Sequence, residues 1–224
     1  IQRLSLDGEP VIQVIDDRRI TLEYYKNSVL HHLAPLGLMA AAIRAHRASF
    51  ADGARLPKDH PVYEEIERLF AKQIFLLRYE FTMDPDQNVD DLVEAALSGL
   101  KDYGAIHLDA SGVSIASKEL VVEMAELTRN LVESVDITLR GARALKNRDL
   151  DLRSMPRALA ELGQKMLALA EIKRPEALSL VNLKNTVRAL RDEGVLSFKT
   201  DGTGLSLDEA TLEEHAEDVN RLLR

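Results

Sequence analysis

A pattern of helix, glycine and two short apolar stretches occurs twice in this sequence and constrains its fold more than any other feature. The pattern is seen in the segment LKDYGAIHLDASGVSI and, ninety residues later, in LRDEGVLSFKTDGTGLSL. Both segments begin with Leu and continue to a glycine that is followed by two apolar residues. In both, a second glycine follows the first by eight positions, Gly104 to Gly112 and Gly194 to Gly202. A partial third copy, IQRLSLDGEPVIQVI, places Gly8 as the second glycine. The repeat predicts one local structure built more than once.

The glycines indicate what that local structure is. We predict that Gly104 and Gly194 end helices in the left-handed backbone conformation and that Gly112 and Gly202 lie at hairpin tips. A helix followed by a hairpin that covers its apolar face resembles a winged-helix unit. Two unrelated helix–glycine–hairpin joints that happen to look alike remain the alternative.

Helical periodicity fills most of the remaining sequence. Aromatic residues make up only 4% of the chain and Trp is absent, which favours helices of small and unbranched side chains. Apolar residues recurring at three and four positions predict helices over 18–33, 36–46, 61–81, 89–103, a stretch of more than about 25 residues from 117, 156–171, 175–194 and 208–223. Pro35 is expected to end or kink the first of them. The predicted fold class is mainly α with small β-hairpins, a helical bundle with winged-helix-like units.

The same signals predict four segments along the chain. Residues 1–87 contain the end of a winged-helix-like hairpin and the helices after it. Residues 88–116 form a winged-helix-like unit, and residues 117–175 form a helical segment. Residues 176–224 hold a second winged-helix-like unit and a C-terminal helix.

The charge balance argues against nucleic acid as a partner. Thirty-seven acidic residues against 29 basic ones give a formal net charge of −8, and an acidic surface repels phosphate backbones. The helix before the first hairpin is acidic; the second unit carries Lys184, Arg188 and Arg191, but Asp192 and Glu193 offset them. With no Cys, the chain has no disulfide and no thiolate ligand, which fits a reducing cytosolic compartment. The longest apolar run, LAPLGLMAAAI, is shorter than the about 20 residues that span a bilayer.

No pattern of catalytic or metal-binding residues is evident. Nucleophile elbows, phosphate-binding loops and zinc-protease motifs are absent, so we predict no catalytic residue, no metal and no cofactor. Tyr24, Asn27 and His31 do form a polar strip, because three- and four-residue spacing places them on one face of an otherwise apolar helix. Such a strip requires hydrogen-bonding partners. Whether those partners lie within this domain or outside it stays open.

At this strip the sequence resembles the bacterial membrane-associated glycerol-3-phosphate 1-O-acyltransferases, in the region downstream of their catalytic domain. The family shows the signature Tyr-Tyr-[Lys/Arg]-Asn-x-x-x-His before a helix rich in Leu, Met and Ala. The residues that match are Tyr24, Tyr25, Lys26, Asn27 and His31, followed by 38–41, His46 and Arg47. Weaker likeness continues through QIFLLRYEF and LRDEGVLS and covers almost the whole chain.

The resemblance implies an enzyme that transfers a fatty acyl group from acyl carrier protein or coenzyme A to glycerol 3-phosphate. The family's catalytic pair is His-x-x-x-x-Asp, in which the His acts as general base. In this sequence Ala51 stands five positions after His46, and Glu65 stands five positions after His60. No other His has an Asp at that spacing. We therefore expect catalysis to lie upstream of Ile1 and this chain to be inactive alone.

The expected role is an accessory C-terminal helical domain of such an acyltransferase in phospholipid biosynthesis. Its partner would be the upstream acyltransferase domain, with a membrane surface as a further candidate partner. The predicted docking strip, for the domain or for the membrane edge, consists of Tyr24, Tyr25, Lys26, Asn27 and His31. The acyl donor and glycerol 3-phosphate would be bound only through the parent enzyme. The expected location is peripheral, on the cytoplasmic side of the inner membrane. The alternative is a free-standing winged-helix module that binds DNA or a protein partner.

Overall fold

The computed structural model of the protein describes residues 2–6, 9–13, 33–81, 88–199 and 204–224. The chain divides into two compact units, Ile1–Leu33 and Ala34–Arg224, which are described separately. The described residues are mainly helical, and their strands form two-stranded antiparallel hairpins. The predicted fold class is confirmed.

The first unit contains one described hairpin. Strand β1 (Gln2–Leu6) pairs antiparallel with β2 (Glu9–Gln13), and Leu6 stands opposite Glu9. The hairpin predicted at the start of the chain is therefore present, with two residues between its strands. Gly8 and the predicted helix from Arg18 lie outside the described residues.

The second unit is a succession of helices interrupted by two hairpins. Helix α1 covers residues 33–45 and includes Pro35, and a 3-10 segment, Arg47–Gly53, follows it. The later helices are α2 (Pro61–Leu76), α3 (Val89–Asp102), α4 (Lys118–Glu126), α5 (Arg129–Ala144), α6 (Met155–Ala168), α7 (Leu180–Asp192) and α8 (Glu209–Leu223). The hairpins pair β3 (Ile106–Asp109) with β4 (Gly112–Ile115) and β5 (Leu196–Phe198) with β6 (Leu205–Leu207).

The two predicted helix-ending glycines behave alike. Gly104 has φ +76° and Gly194 has φ +82°, so both occupy the left-handed region. The amide after each glycine donates back to the helix that it ends: Ala105 N lies 2.9 Å from Leu100 O, and Val195 N lies 3.0 Å from Leu190 O. Both joints thus cap the helix carbonyls in the same way, as the repeat predicts.

The second glycine of the first repeat requires a correction in detail. Gly112 begins β4, opposite Asp109, and has φ +121°, so it lies next to the hairpin tip instead of at it. In the second repeat Gly204, with φ +134°, holds the comparable position directly before β6. Gly202, predicted at the tip of this hairpin, lies outside the described residues, and its position stays a prediction.

Each hairpin receives a third backbone partner from earlier in the chain. Leu56 forms an antiparallel bridge with Val113 of β4, with N–O distances of 2.8 and 2.9 Å. Leu205 of β6 donates to the carbonyl of Lys146 at 2.8 Å. Each of these two hairpins is therefore preceded by the same series of elements: a helix, the residue that bonds to the hairpin, and two further helices. The series occurs twice, first over 33–115 and then over 129–207.

The long helix predicted from residue 117 is wrong. Helix α4 ends at Glu126, and α5 begins at Arg129. At the break, Leu127 N donates to Met124 O and the Thr128 hydroxyl donates to Ala125 O, both over three residues instead of four. The break separates a largely exposed α4 from α5, which is buried along almost its whole length.

Several other helix ends differ from the sequence prediction. Helix α2 ends at Leu76 instead of continuing to residue 81, and α6 ends at Ala168. Pro175 opens a short 3-10 turn, after which Ser179 caps α7. The predicted starts of α3 and α8 are confirmed. Asn88 accepts from Asp91 N at 2.8 Å, and Asp208 accepts from the Ala210 and Thr211 amides.

Candidate functional site

All five residues of the predicted docking strip lie outside the described residues. They are Tyr24, Tyr25, Lys26, Asn27 and His31. Their role therefore stays a prediction. The structure describes the part of the matched segment that follows them, from residue 33 onwards.

That part is α1, which is packed into the second unit. Leu38, Met39 and Ala40 are fully buried. Gly37 lies so close to α4 and α5 that a Cβ there would come within 2.6 Å of the Thr128 methyl group. Close helix contact therefore explains the small and flexible residues of this segment.

An ion-pair cluster joins the end of α1 to the break between α4 and α5. We call it the central cluster; it consists of Arg44, Glu126, Arg129, Glu133 and Arg174. The Glu126 carboxylate accepts from Arg129 at 2.7 Å, from Arg44 at 3.0 Å and from Arg174 at 3.0 Å. Three guanidinium groups from three parts of the chain thus share one carboxylate.

Glu133 completes the cluster on the buried side. Its carboxylate, 1% exposed, accepts from Arg129 Nε at 2.9 Å and from the backbone amides of Lys173 and Arg174 at 3.0 and 2.8 Å. Burying a carboxylate is unfavourable unless charge and hydrogen bonds compensate it. These donors supply both, and they fix the segment before the 3-10 turn onto α5.

The central cluster also holds the C-terminal end of α8. Arg44 donates to the carbonyl of Leu222 at 2.5 Å, and Arg129 donates to that of Leu223 at 3.1 Å. The last carbonyls of a helix have no partner inside it, and they carry the negative end of the helix dipole. Two arginines therefore cap α8 from outside and tie it to α1 and α5.

The central cluster should make the stability of the protein sensitive to acid. Burial disfavours the Glu126 carboxylate, but hydrogen bonds from Arg129, Arg174 and Arg44 outweigh it and lower the pKa of Glu126 from 4.5 to about 2. A lowered pKa means stabilisation that is present above about pH 4.5 and is lost as the pH falls towards 2. We expect Glu126→Gln to flatten this part of the pH dependence of the free energy of unfolding, measured by denaturant titration at several pH values.

The matched control for this prediction is Glu123→Gln, which removes an exposed carboxylate from the same helix. It should keep the acid dependence of the unchanged protein. An acid dependence of Glu126→Gln as steep as that of the control would contradict the assignment.

A second group of ion pairs joins α2 to α8. Arg68 donates to Asp218, which is 2% exposed, at 2.6 and 2.9 Å, and to Glu65 at 2.7 Å. Lys72 pairs with Glu214, and Arg221 donates to Glu65 at 2.7 Å. Helix α8 is therefore held at its C-terminal end by the central cluster and along its side by α2.

The matched segment QIFLLRYEF forms the end of α2 and packs against α7. The Arg78 guanidinium lies 3.9 Å from the ring centre of Phe75, and Arg188 lies 3.9 Å from that of Tyr79. The Tyr79 hydroxyl donates to Asp192. These contacts give the segment a packing role between α2 and the second repeat.

The described residues offer no assembled catalytic or metal site. No group of three or more metal-ligating side chains occurs among them. His60 caps α2 through its Nδ1 atom, and His215, 1% exposed, lies 3.0 Å from Glu193. These histidines have structural partners, and neither has the Asp spacing of the acyltransferase pair.

The exposed charges of α3 are mainly acidic. They include Asp90, Asp91 and Glu94, and Arg55 is paired with Asp109 at the first hairpin. In α7 the guanidinium of Arg188 is stacked on Tyr79, whereas Lys184 and Arg191 are exposed. The acidic groups of α3 disfavour contact with a phosphate backbone.

Sequence reasoning missed the central cluster. Its charged residues stand on amphipathic helices, where charges are usually solvated. One signal was present: Glu133 and Asp136 interrupt the apolar face of α5, and the Arg129–Glu133 spacing of four allows an ion pair. The partners from α1 and α8 are distant in sequence and carry no local signal.

Fold and site together define a helical scaffold that lacks an assembled catalytic centre in its described part. Residues 1–199 match the model of a protein family, the glycerol-3-phosphate acyltransferase C-terminal region. The chain belongs to this family. No curated protein matches the sequence. The resemblance seen in the sequence is confirmed, and nothing supports the DNA-binding alternative.

Proposed function

We propose that this chain is a non-catalytic scaffold that stabilises and orients the acyltransferase domain of its parent enzyme. The observation that carries the proposal is the family match over residues 1–199 in a sequence without a His-x-x-x-x-Asp pair. In this proposal the parent transfers a fatty acyl group from acyl carrier protein or coenzyme A to glycerol 3-phosphate. This chain would contact those substrates only through the parent.

The two repeated segments are proposed to be winged-helix-like units used for packing. The shared order of helices, bridging residue and hairpin supports this, together with the matching glycine conformations of Gly104 and Gly194. The exposed charges described above argue that neither unit uses its helix to read DNA. The four-segment division of the chain stays a prediction.

The docking surface is proposed to be the strip of Tyr24, Tyr25, Lys26, Asn27 and His31. Its support is the family signature and its position directly before α1, whose helical residues are anchored by Arg44 in the central cluster.

Membrane association is proposed to be peripheral, at the cytoplasmic side of the inner membrane. Helices long and apolar enough to cross a bilayer were not found among the described residues.

The catalytic assignment is tested by assaying residues 1–224 alone for acyl transfer to glycerol 3-phosphate. We expect no transfer above background, because the general base is missing. Activity comparable to that of the parent enzyme would refute the proposal.

The docking strip is tested by Asn27→Ala with His31→Ala in the parent enzyme. We expect activity to fall about tenfold or more if docking positions the catalytic groups, since misplacement by about 1 Å can cost about a hundredfold. The matched control, His107→Ala with Asn147→Ala, changes the same residue types at exposed positions and should leave activity unchanged. Equal activity of the two double variants would remove the strip's proposed role.

A further inference from the structure

A groove of about 250 Å³ lies beside the end of α1 and the start of α4. We call it the basic groove; it is lined by Arg44, Arg47, Ile115, Lys118, Val121 and Val122. Half of these residues are cationic, half are aliphatic, and none is acidic.

The three cations of the basic groove are not equivalent. Arg44 is only 7% exposed, and Glu126 offsets its charge at 3.0 Å. Arg47 and Lys118 are exposed, and neither makes an ion pair within the described part of the chain. Among the described residues, the groove therefore offers two exposed cations without an ion pair, in addition to the buried guanidinium of Arg44.

The walls of the basic groove are apolar. Val122 is 45% exposed although it is a large aliphatic residue, and Ile115 is partly exposed beside it. Exposed aliphatic groups next to uncompensated cations match a ligand that has an anionic head and a hydrocarbon chain.

We propose that the basic groove binds a single-chain amphiphile with a phosphate monoester head. A phosphate monoester carries a charge of about −1.5 to −2 at pH 7, which matches the two free cations, whereas a carboxylate would leave one of them unpaired. The phosphate lies between Arg47 and Lys118, and the chain covers Val122. This site is independent of the docking strip and of catalysis by the parent.

The test measures binding of dodecyl phosphate to residues 1–224 by isothermal titration calorimetry, below its micellar concentration. Inorganic phosphate supplies the head alone, and dodecyl maltoside supplies the chain with a neutral head. We expect each of these to bind at least about tenfold more weakly than dodecyl phosphate, which corresponds to about 1.4 kcal/mol. Equal binding of either one would overturn the proposal.

Variants locate the binding in the groove. Arg47→Gln with Lys118→Gln should weaken dodecyl phosphate binding about tenfold or more, because both head contacts lose their charge. Arg157→Gln with Lys165→Gln removes the same residue types from exposed positions of α6 and should have no effect. Val122→Thr should weaken binding of dodecyl phosphate while circular dichroism confirms an unchanged fold. Equal affinities of the two double variants would place the ligand elsewhere and refute the site.

Discussion

Replacing Glu133 by Ala should lower the free energy of unfolding by about 3–5 kcal/mol, the range for breaking a buried ion pair. The change removes the carboxylate that lies 2.9 Å from Arg129 Nε, so that this guanidinium, 8% exposed, keeps its ion pair with Glu126 but loses the one with Glu133. It also removes the acceptor of the Lys173 and Arg174 amides. Denaturant unfolding followed by circular dichroism measures the loss.

The matched control is Glu161→Ala, which removes an exposed glutamate from α6. It should change the free energy of unfolding by no more than about 0.5 kcal/mol, as surface substitutions do. If Glu133→Ala lowers the free energy of unfolding no more than this control does, then the central cluster does not stabilise the fold. The free energy of unfolding of Glu133→Gln should lie between those of Glu133→Ala and Glu161→Ala, because the amide keeps one acceptor oxygen and loses the charge.

Replacing Gly112 by Ala should cost about 3–5 kcal/mol, since it combines backbone strain with a clash against main-chain atoms. At φ +121° an L side chain is strained. A Cβ would also lie 2.7 Å from the carbonyl carbon of Leu56 and 2.8 Å from the Cα of Pro57. Those atoms belong to the bridge with Val113, so relief requires breaking its hydrogen bonds.

Gly104→Ala separates the two contributions to this loss. Gly104 has φ +76°, but a Cβ there meets nothing within 4 Å. We expect it to cost about 1–2 kcal/mol, the value for left-handed backbone alone. Thermal or denaturant unfolding of both variants gives the difference. Equal losses would show that the close approach of Leu56 to β4 contributes nothing.

The central cluster has a consequence for the boundary of the family region. The family match ends at residue 199, whereas α8 covers Glu209–Leu223. Arg44 and Arg129, both within the matched region, nevertheless hold the last carbonyls of α8. Helix α8 is therefore an integral part of the second unit and not an appended tail.

Much of the local structure was predictable because its causes are local. Asn88 and Asp208 mark helix starts through side-chain oxygens that reach amides two or three residues away. Gly104 and Gly194 mark helix ends because few other residues adopt the left-handed conformation. The family was also recognisable, from a strip of residues whose spacing is visible in the sequence.

The failures have equally physical causes. Nothing in the sequence of α4 and α5 is a strong helix breaker, and the break between them lies where Thr128 packs against Gly37 of α1. The hydrogen bond from Leu205 of β6 to the carbonyl of Lys146 was not predictable either. Both are contacts between residues far apart in the chain, and periodicity does not report them.

The sequence by itself determined the helical class, the repeated helix–glycine–hairpin joints, the absence of the acyltransferase catalytic pair and the family of the chain. Only the tertiary structure decided which charged residues are buried together, how α8 is capped and where cations gather beside an apolar wall. The reason is distance along the chain: caps and turns act over a few residues, whereas Arg44 meets Glu126 across 82 positions and Leu222 across 178. Such pairs form only once the helices have packed, and packing therefore sets their energies.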